Sequence, residues 1–160
     1  MKKIILGAIL TLLLPLFSAA VVMRLGLLPV SADGNHFSLE ARIMPAVLRA
    51  SVARRAATET NPIAIGEDNL KAGMLTFKTT CATCHGTEKE GVGEYGQSFY
   101  PPAPPLSSGI TQYTDAQLFW IIKHGIRNTG MPAWGRILSD EEIWQVVMAL
   151  RINPQFKPGH

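Results

Sequence analysis

Cysteine is scarce in this 160-residue chain: Cys81 and Cys84 are the only two. Two thiols three positions apart exclude the multi-bridge framework that staples small secreted domains. A disulfide between them would close almost no loop and so remove little chain entropy. Histidine is nearly as sparse, with His36, His85, His124 and His160 scattered along the chain, which argues against a four-ligand zinc site. The βαβ pattern that surrounds a thioredoxin-type redox pair is missing. So is any convincing alternation of apolar and polar residues, and no strand is expected. No constellation of general acid, base and nucleophile stands out, which weighs against a catalyst.

Acidic side chains are outnumbered, 12 against 15, for a formal net charge of +3. The excess is local. Residues 1–60 carry seven basic and three acidic side chains, whereas residues 61–160 carry eight and nine. Nucleic-acid binding therefore has no support in the main part of the chain.

Charge is wholly absent from Ile4 to Met23, "IILGAILTLLLPLFSAAVVM", a run of twenty residues. At the helical rise, about 20 apolar residues match the roughly 30 Å hydrocarbon core of a bilayer. A signal peptide has a shorter apolar region, about 7–15 residues, and a small-residue cleavage site just behind it. Val30-Ser31-Ala32 lies far beyond the run, and cleavage after Ser18-Ala19-Ala20 leaves a greasy terminus. A retained anchor is the reading taken, with a cleaved leader as the alternative. Under either, Lys2, Lys3 and the terminal amine keep the N-terminus in the cytoplasm and send the remainder outward.

The chain divides into a transmembrane anchor over 1–24, a linker with an amphipathic basic helix over 25–66, and one globular domain over 67–155. In the linker, "SLEARIMPAVLRASVARRAA" is apolar near helical spacing and carries four arginines, which could lie against anionic headgroups or face solvent. Pro45 limits it to a helix that starts there or to a kinked one. The domain is expected to be all-α. One helix starts near Asp68 or Asn69 as cap, with Leu70, Met74, Phe77 and Cys81 on one stripe. A second starts at Thr114 with Gln117 as capping-box partner, buries Leu118, Ile121 and Ile122, and ends at Gly125. A third starts at Ser139 with Glu142 as partner, turns Ile143, Val146, Val147 and Leu150 inward, and stops at Asn153-Pro154. The connections 86–113 and 126–138 are long for so small a domain, which suggests that something besides protein fills its centre.

Cys81-x-x-Cys84-His85 supplies a candidate. In this motif two thiols bond to the vinyl groups of one haem, and the next residue, histidine, ligates the iron. Such attachment happens outside the cytoplasm, in agreement with the export expected from the N-terminus.

With "CATCHG", "PPAPPL", "GMPAWG" and a terminal helix bearing an aromatic residue, the stretch from about Asp68 to Pro154 resembles class I c-type cytochromes, in particular small single-haem bacterial ones. The resemblance implies a cytochrome c-like helical domain around one haem c, with its first and last helices crossing. Gly73 and Trp144 are the candidates for that crossing. It further implies an axial methionine at Met131, in a loop between Gly130 and Pro132, with His124 as the rival ligand. A proline carbonyl supporting the ligand imidazole falls at Pro104, with Pro105 as the near alternative. Tyr100, Arg127, Trp134 and Arg136 are candidates to reach the haem propionates. The segment after His85, "GTEKEGVGEYGQSFYP", is longer than in the shortest members. The expected function is electron transfer without catalysis. The chain would be held by one span in a bacterial inner membrane, its haem domain on the periplasmic or outer face. Its partners would be redox proteins of a membrane electron-transport chain and, through the anchor, lipid; neither nucleic acid nor a small-molecule substrate is expected. The alternatives are a permanent cytochrome c subunit of a larger membrane oxidoreductase, and a sensor or enzyme with a labile sixth ligand.

Overall fold

A computed structural model describes residues 1–28, 30–31, 33, 38–56, 60–87, 91–106, 110 and 112–152. The chain falls into two units, Met1–His36 and Phe37–His160.

The first unit is built on α1 (Lys2–Arg24). At about 1.5 Å per residue it is long enough to cross a bilayer, and its composition suits that role. Its two hydroxyls are turned back on the helix: Thr11 Oγ1 donates to Gly7 O and Ser18 Oγ to Leu14 O, both at 2.9 Å. Each polar group on the run is thus satisfied internally, as an apolar solvent demands.

The second unit contains α2 (Ser38–Arg55), α3 (Glu67–Thr76), a π-helical turn (Phe77–Cys81), α4 (Ala82–His85), α5 (Glu94–Gln97), α6 (Asp115–His124), a 3-10 turn (Trp134–Arg136) and α7 (Asp140–Ile152). Among the described residues there is no strand, only an isolated bridge between Thr87 and Gly91. The all-α expectation is met.

Local sequence explains where α6 and α7 begin. Thr114 Oγ1 accepts the Gln117 N–H at 3.2 Å, while the Thr114 N–H donates to Gln117 Oε1 at 3.0 Å. At α7 the Ser139 N–H donates to Glu142 Oε2 at 2.7 Å, and Ser139 Oγ accepts the Glu142 N–H at 3.3 Å. The Ser139 backbone N–H, then its hydroxyl, hold the Glu142 carboxyl below its ordinary range. A depressed carboxylate stabilises the fold above its unfolded pKa, and that contribution fades as pH falls through the folded value.

The start of α3 differs from expectation. Gly66, not Asp68 or Asn69, is the N-cap, and Glu67 and Asp68 lie in the first turn, where negative charge suits the helix dipole. Asn69 is used elsewhere. Its amide donates to Ala64 O at 2.9 Å and its carbonyl accepts from Gln145 Nε2 at 3.0 Å, fastening α3 to α7. The end of α7 expected at Asn153-Pro154, and the domain limit at 155, lie outside the described residues.

Helices α3 and α7 cross at Gly73. A Cβ there would stand 2.0 Å from Gln145 O and 2.5 Å from Gln145 C, so the two backbones touch. The aromatic ring expected at this crossing is not the contact: Trp144 stacks on Phe119 of α6, centroids 4.2 Å apart and planes 10° apart. These rings belong to a buried cluster with Phe77, Leu118, Ile122, Ile143, Val147 and Leu150. Arg151 closes the far end of α7. Its Nε meets Asp115 Oδ1 at 2.7 Å, its Nη1 donates to Ile110 O at 3.2 Å, and its Nη2 donates to Tyr113 O.

Helix α2 runs through Pro45 rather than starting at it. It packs on α6, with Val52 and Ala56 buried against Ile121 and with Leu48, Ala116 and Trp120 around them. The residues read from sequence as a spacer therefore contribute a second small core to this unit.

Candidate haem-binding site

The Cys81–His85 stretch is carried by an irregular helix. After Thr76 the α-helical ladder widens into the π turn Phe77–Cys81, then tightens again in α4. Thr79 Oγ1 donates to Leu75 O at 3.0 Å and lies 3.3 Å from Thr76 O, so its hydroxyl competes for carbonyls where the ladder loosens. A π turn inserts extra chain into one helical turn, so α4 does not continue the register of α3. Cys81 nevertheless reaches the main cluster, as do Met74, Phe77 and Ala82.

No disulfide joins the two cysteines. Burial pushes the Cys81 thiol up to about 12, and the nearby Cys84 adds to the shift. A working dithiol attacks best with a thiol that titrates near ambient pH, so this pair is poorly set for redox exchange. Among the described residues no group of three or more His, Cys, Asp or Glu gathers to hold a metal ion.

His85 and Pro104 are brought together: Nδ1 lies 3.1 Å from Pro104 O. A proline carbonyl only accepts, so Nδ1 carries the proton and Nε2 keeps its lone pair. That tautomer is the one an iron ligand needs. Pro104 is presented by an extended stretch tied to α5, where Ala103 N donates to Gly96 O at 2.8 Å. Helix α5 in turn sits directly on the cysteine turn, since a Cβ at Gly96 would come within 1.9 Å of Cys84 O.

Met131 is held by a tight loop. Ile126 N donates to Met131 O at 3.1 Å. Thr129 Oγ1 donates to Ile126 O at 2.7 Å and accepts the Met131 N–H at 3.1 Å. Gly125 ends α6 at φ +67°, a conformation costly for other residues, and its Cα faces the Met131-Pro132 backbone with no room for a side chain. Gly130 lies flat against the Phe99 ring. Met131 and Trp134 pack on the cluster that Cys81 also touches.

The remaining candidates are less concentrated. His124 is exposed, and its ring lies 4.7 Å from that of Trp120, a residue of the α2–α6 cluster rather than the main one. Tyr100 is half-buried, while Arg127 and Arg136 are exposed. Thr129, Gly96 and Phe99 were not singled out from sequence. A threonine two residues before Met131 is a recognisable turn-former; for Gly96 and Phe99 no local signal exists.

These donors suit a haem: two sulfurs on one turn, an imidazole with a free Nε2, and a thioether in a braced loop. A family profile described as cytochrome C oxidase, cbb3-type, subunit III matches residues 68–148. The chain belongs to that family. This c-type cytochrome is of the single-haem, class I-like kind, and its matched residues run from the first turn of α3 into α7. Helices α1 and α2 lie outside the match.

Proposed function

We propose that this cytochrome is a membrane-tethered electron carrier whose haem is bonded through Cys81 and Cys84 and ligated by His85 and Met131. The observation that carries the reading is the 3.1 Å contact between His85 Nδ1 and Pro104 O. It fixes the imidazole's tautomer and orientation and increases its donor strength. When bound, the haem supplies a one-electron ferrous–ferric couple, and Met/His ligation raises its potential. The chain's own residues do the rest. Thr129 and Gly125 hold the methionine loop shut, and the Phe99–Gly130 contact ties it to the segment that carries Pro104. The apolar α1 supports the tether, with the haem domain outside the cytoplasm.

Intact mass of the mature protein, purified from a bacterium able to mature c-type cytochromes, tests attachment and tether together. The expected value is the full chain plus one haem, including residues 1–30. A haem lost under denaturing conditions would overturn covalent attachment, and a mass lacking the apolar segment would overturn the tether.

The family description favours a second reading, a fixed subunit of an oxidase. Native electrophoresis of gently solubilised membranes separates the two: haem stain in a large band supports the subunit, and stain at the size of this chain supports the lone carrier.

Thr129→Val removes the two hydroxyl hydrogen bonds of the methionine loop while keeping the side chain's shape. Two such bonds contribute on the order of 1 kcal/mol each, so exogenous imidazole should bind the ferric protein at least tenfold more tightly. An unchanged affinity would show that the loop does not depend on them.

A further inference from the structure

Docking through Leu48, Val52 and Ala56 commits one side of α2 to α6 and leaves the opposite side uncovered. Along that side stand Ile43, Ala46, Val47 and Ala50, at helical spacing. Ile43 is 47% exposed and Val47 49%. Arg42 and Arg49 border this stripe on one edge, Arg54 sits at its end, and Arg55 stands nearer the docked side. All four guanidiniums are exposed. Among the described residues none pairs with a carboxylate, and Glu40 is the helix's only acid.

An apolar stripe bordered by exposed cations matches a surface that offers many anions over an apolar layer. We propose that this face of α2 lies on the anionic lipid surface of the membrane that α1 spans, with Ile43 and Val47 at the acyl boundary and the arginines among the phosphates. Interfacial helices of this kind combine buried apolar area with attraction to anionic lipid. Arginine's long stem allows it to lie along the stripe's edge while its head stays in the polar layer. Chain connectivity permits it: thirteen residues separate Arg24 from Ser38, a reach of at most about 45 Å when fully extended. A helix of another subunit fits less well, because it would have to supply a counter-charge for each guanidinium. The inference rests on α1 being a span. It goes further, in that a domain tethered through α1 becomes one held against the bilayer by the exposed face of α2.

The test uses the full haem-loaded chain in vesicles, with a nitroxide on Val47→Cys. In phosphatidylglycerol–phosphatidylcholine vesicles the label should meet dissolved oxygen more readily than a water-soluble nickel chelate. That preference should reverse in pure phosphatidylcholine, and in salt of about 0.5 M, where charges are screened beyond a few ångströms. With Arg49→Gln and Arg54→Gln together the contact should weaken about 25-fold, roughly fivefold for each charge. An unaltered haem spectrum confirms that each variant is folded. A second label on Leu13→Cys reports α1 separately. Lipid contact at Leu13 with a Val47 label that stays wet in both lipids overturns this inference alone, and loss of lipid contact at both overturns the tether as well. A Val47 label shielded from both reagents in native membranes, yet wet in anionic vesicles, places protein on this face and also overturns the proposal.

Discussion

Met131→Ala is expected to erase the weak near-red absorption band of sulfur bonded to ferric iron, and to open the reduced protein to carbon monoxide. Alanine at this position leaves the loop in place, because its closure runs through backbone atoms and Thr129 rather than the methionine side chain. What is lost is the thioether. Axial ligands move haem potentials over a range of about 0.8 V, and methionine lies toward its upper part. The midpoint should therefore fall by about a quarter of that range, on the order of 0.2 V. Spectroelectrochemistry on the wild type and variant measures this directly. If the wild type lacks the band and the substitution leaves the potential where it was, another residue ligates the iron, and His124→Ala is the next variant to read. The exposure of His124 and its stacking on Trp120, away from the main cluster, favour the methionine.

Gly73→Ala should cost a large share of the domain's stability, because it falls where α3 and α7 touch. The added carbon would meet Gln145 O at 2.0 Å and Gln145 C at 2.5 Å, atoms of a helix backbone that cannot rotate aside. Relief requires α3 and α7 to separate, which also stretches the Asn69–Gln145 hydrogen bond. Overpacking commonly costs about 1–3 kcal/mol and sometimes more; contact with a backbone puts this site at about 3 kcal/mol or beyond. Denaturant titration of the haem-loaded protein, followed by tryptophan fluorescence, measures the loss. A change below about 0.5 kcal/mol, the ordinary scatter of surface substitutions, would mean that the crossing is loose.

The parts legible in the sequence were those decided by neighbours in the chain. Thr114 with Gln117, and Ser139 with Glu142, form their reciprocal caps because each partner is three residues away and needs no distant help. Cys81, Cys84 and His85 were legible because few chemistries require that spacing. Pro104 came from family likeness, and its carbonyl does lie against His85. Contacts set by tertiary geometry were harder. Gly73 was identified as a close-approach residue, but its partner depended on where the two axes cross, which proved to be the Gln145 backbone rather than the Trp144 ring. The π turn left no mark, because its residues also suit an α-helix and the widening follows from tertiary demand. Nor did composition reveal that α2 packs on α6: a helix apolar on two sides gives no hint of which one is already taken.

Arg151 sets an order of assembly. It grips Ile110 and Tyr113, and Ile110 N donates to Leu106 O, two residues beyond Pro104, whose carbonyl lies against His85. A nascent polypeptide emerges N-terminus first, so the thiols and their histidine are available before the final helix exists to lock that span. The cofactor's berth is open while the protein is young and is latched only once its last turn arrives.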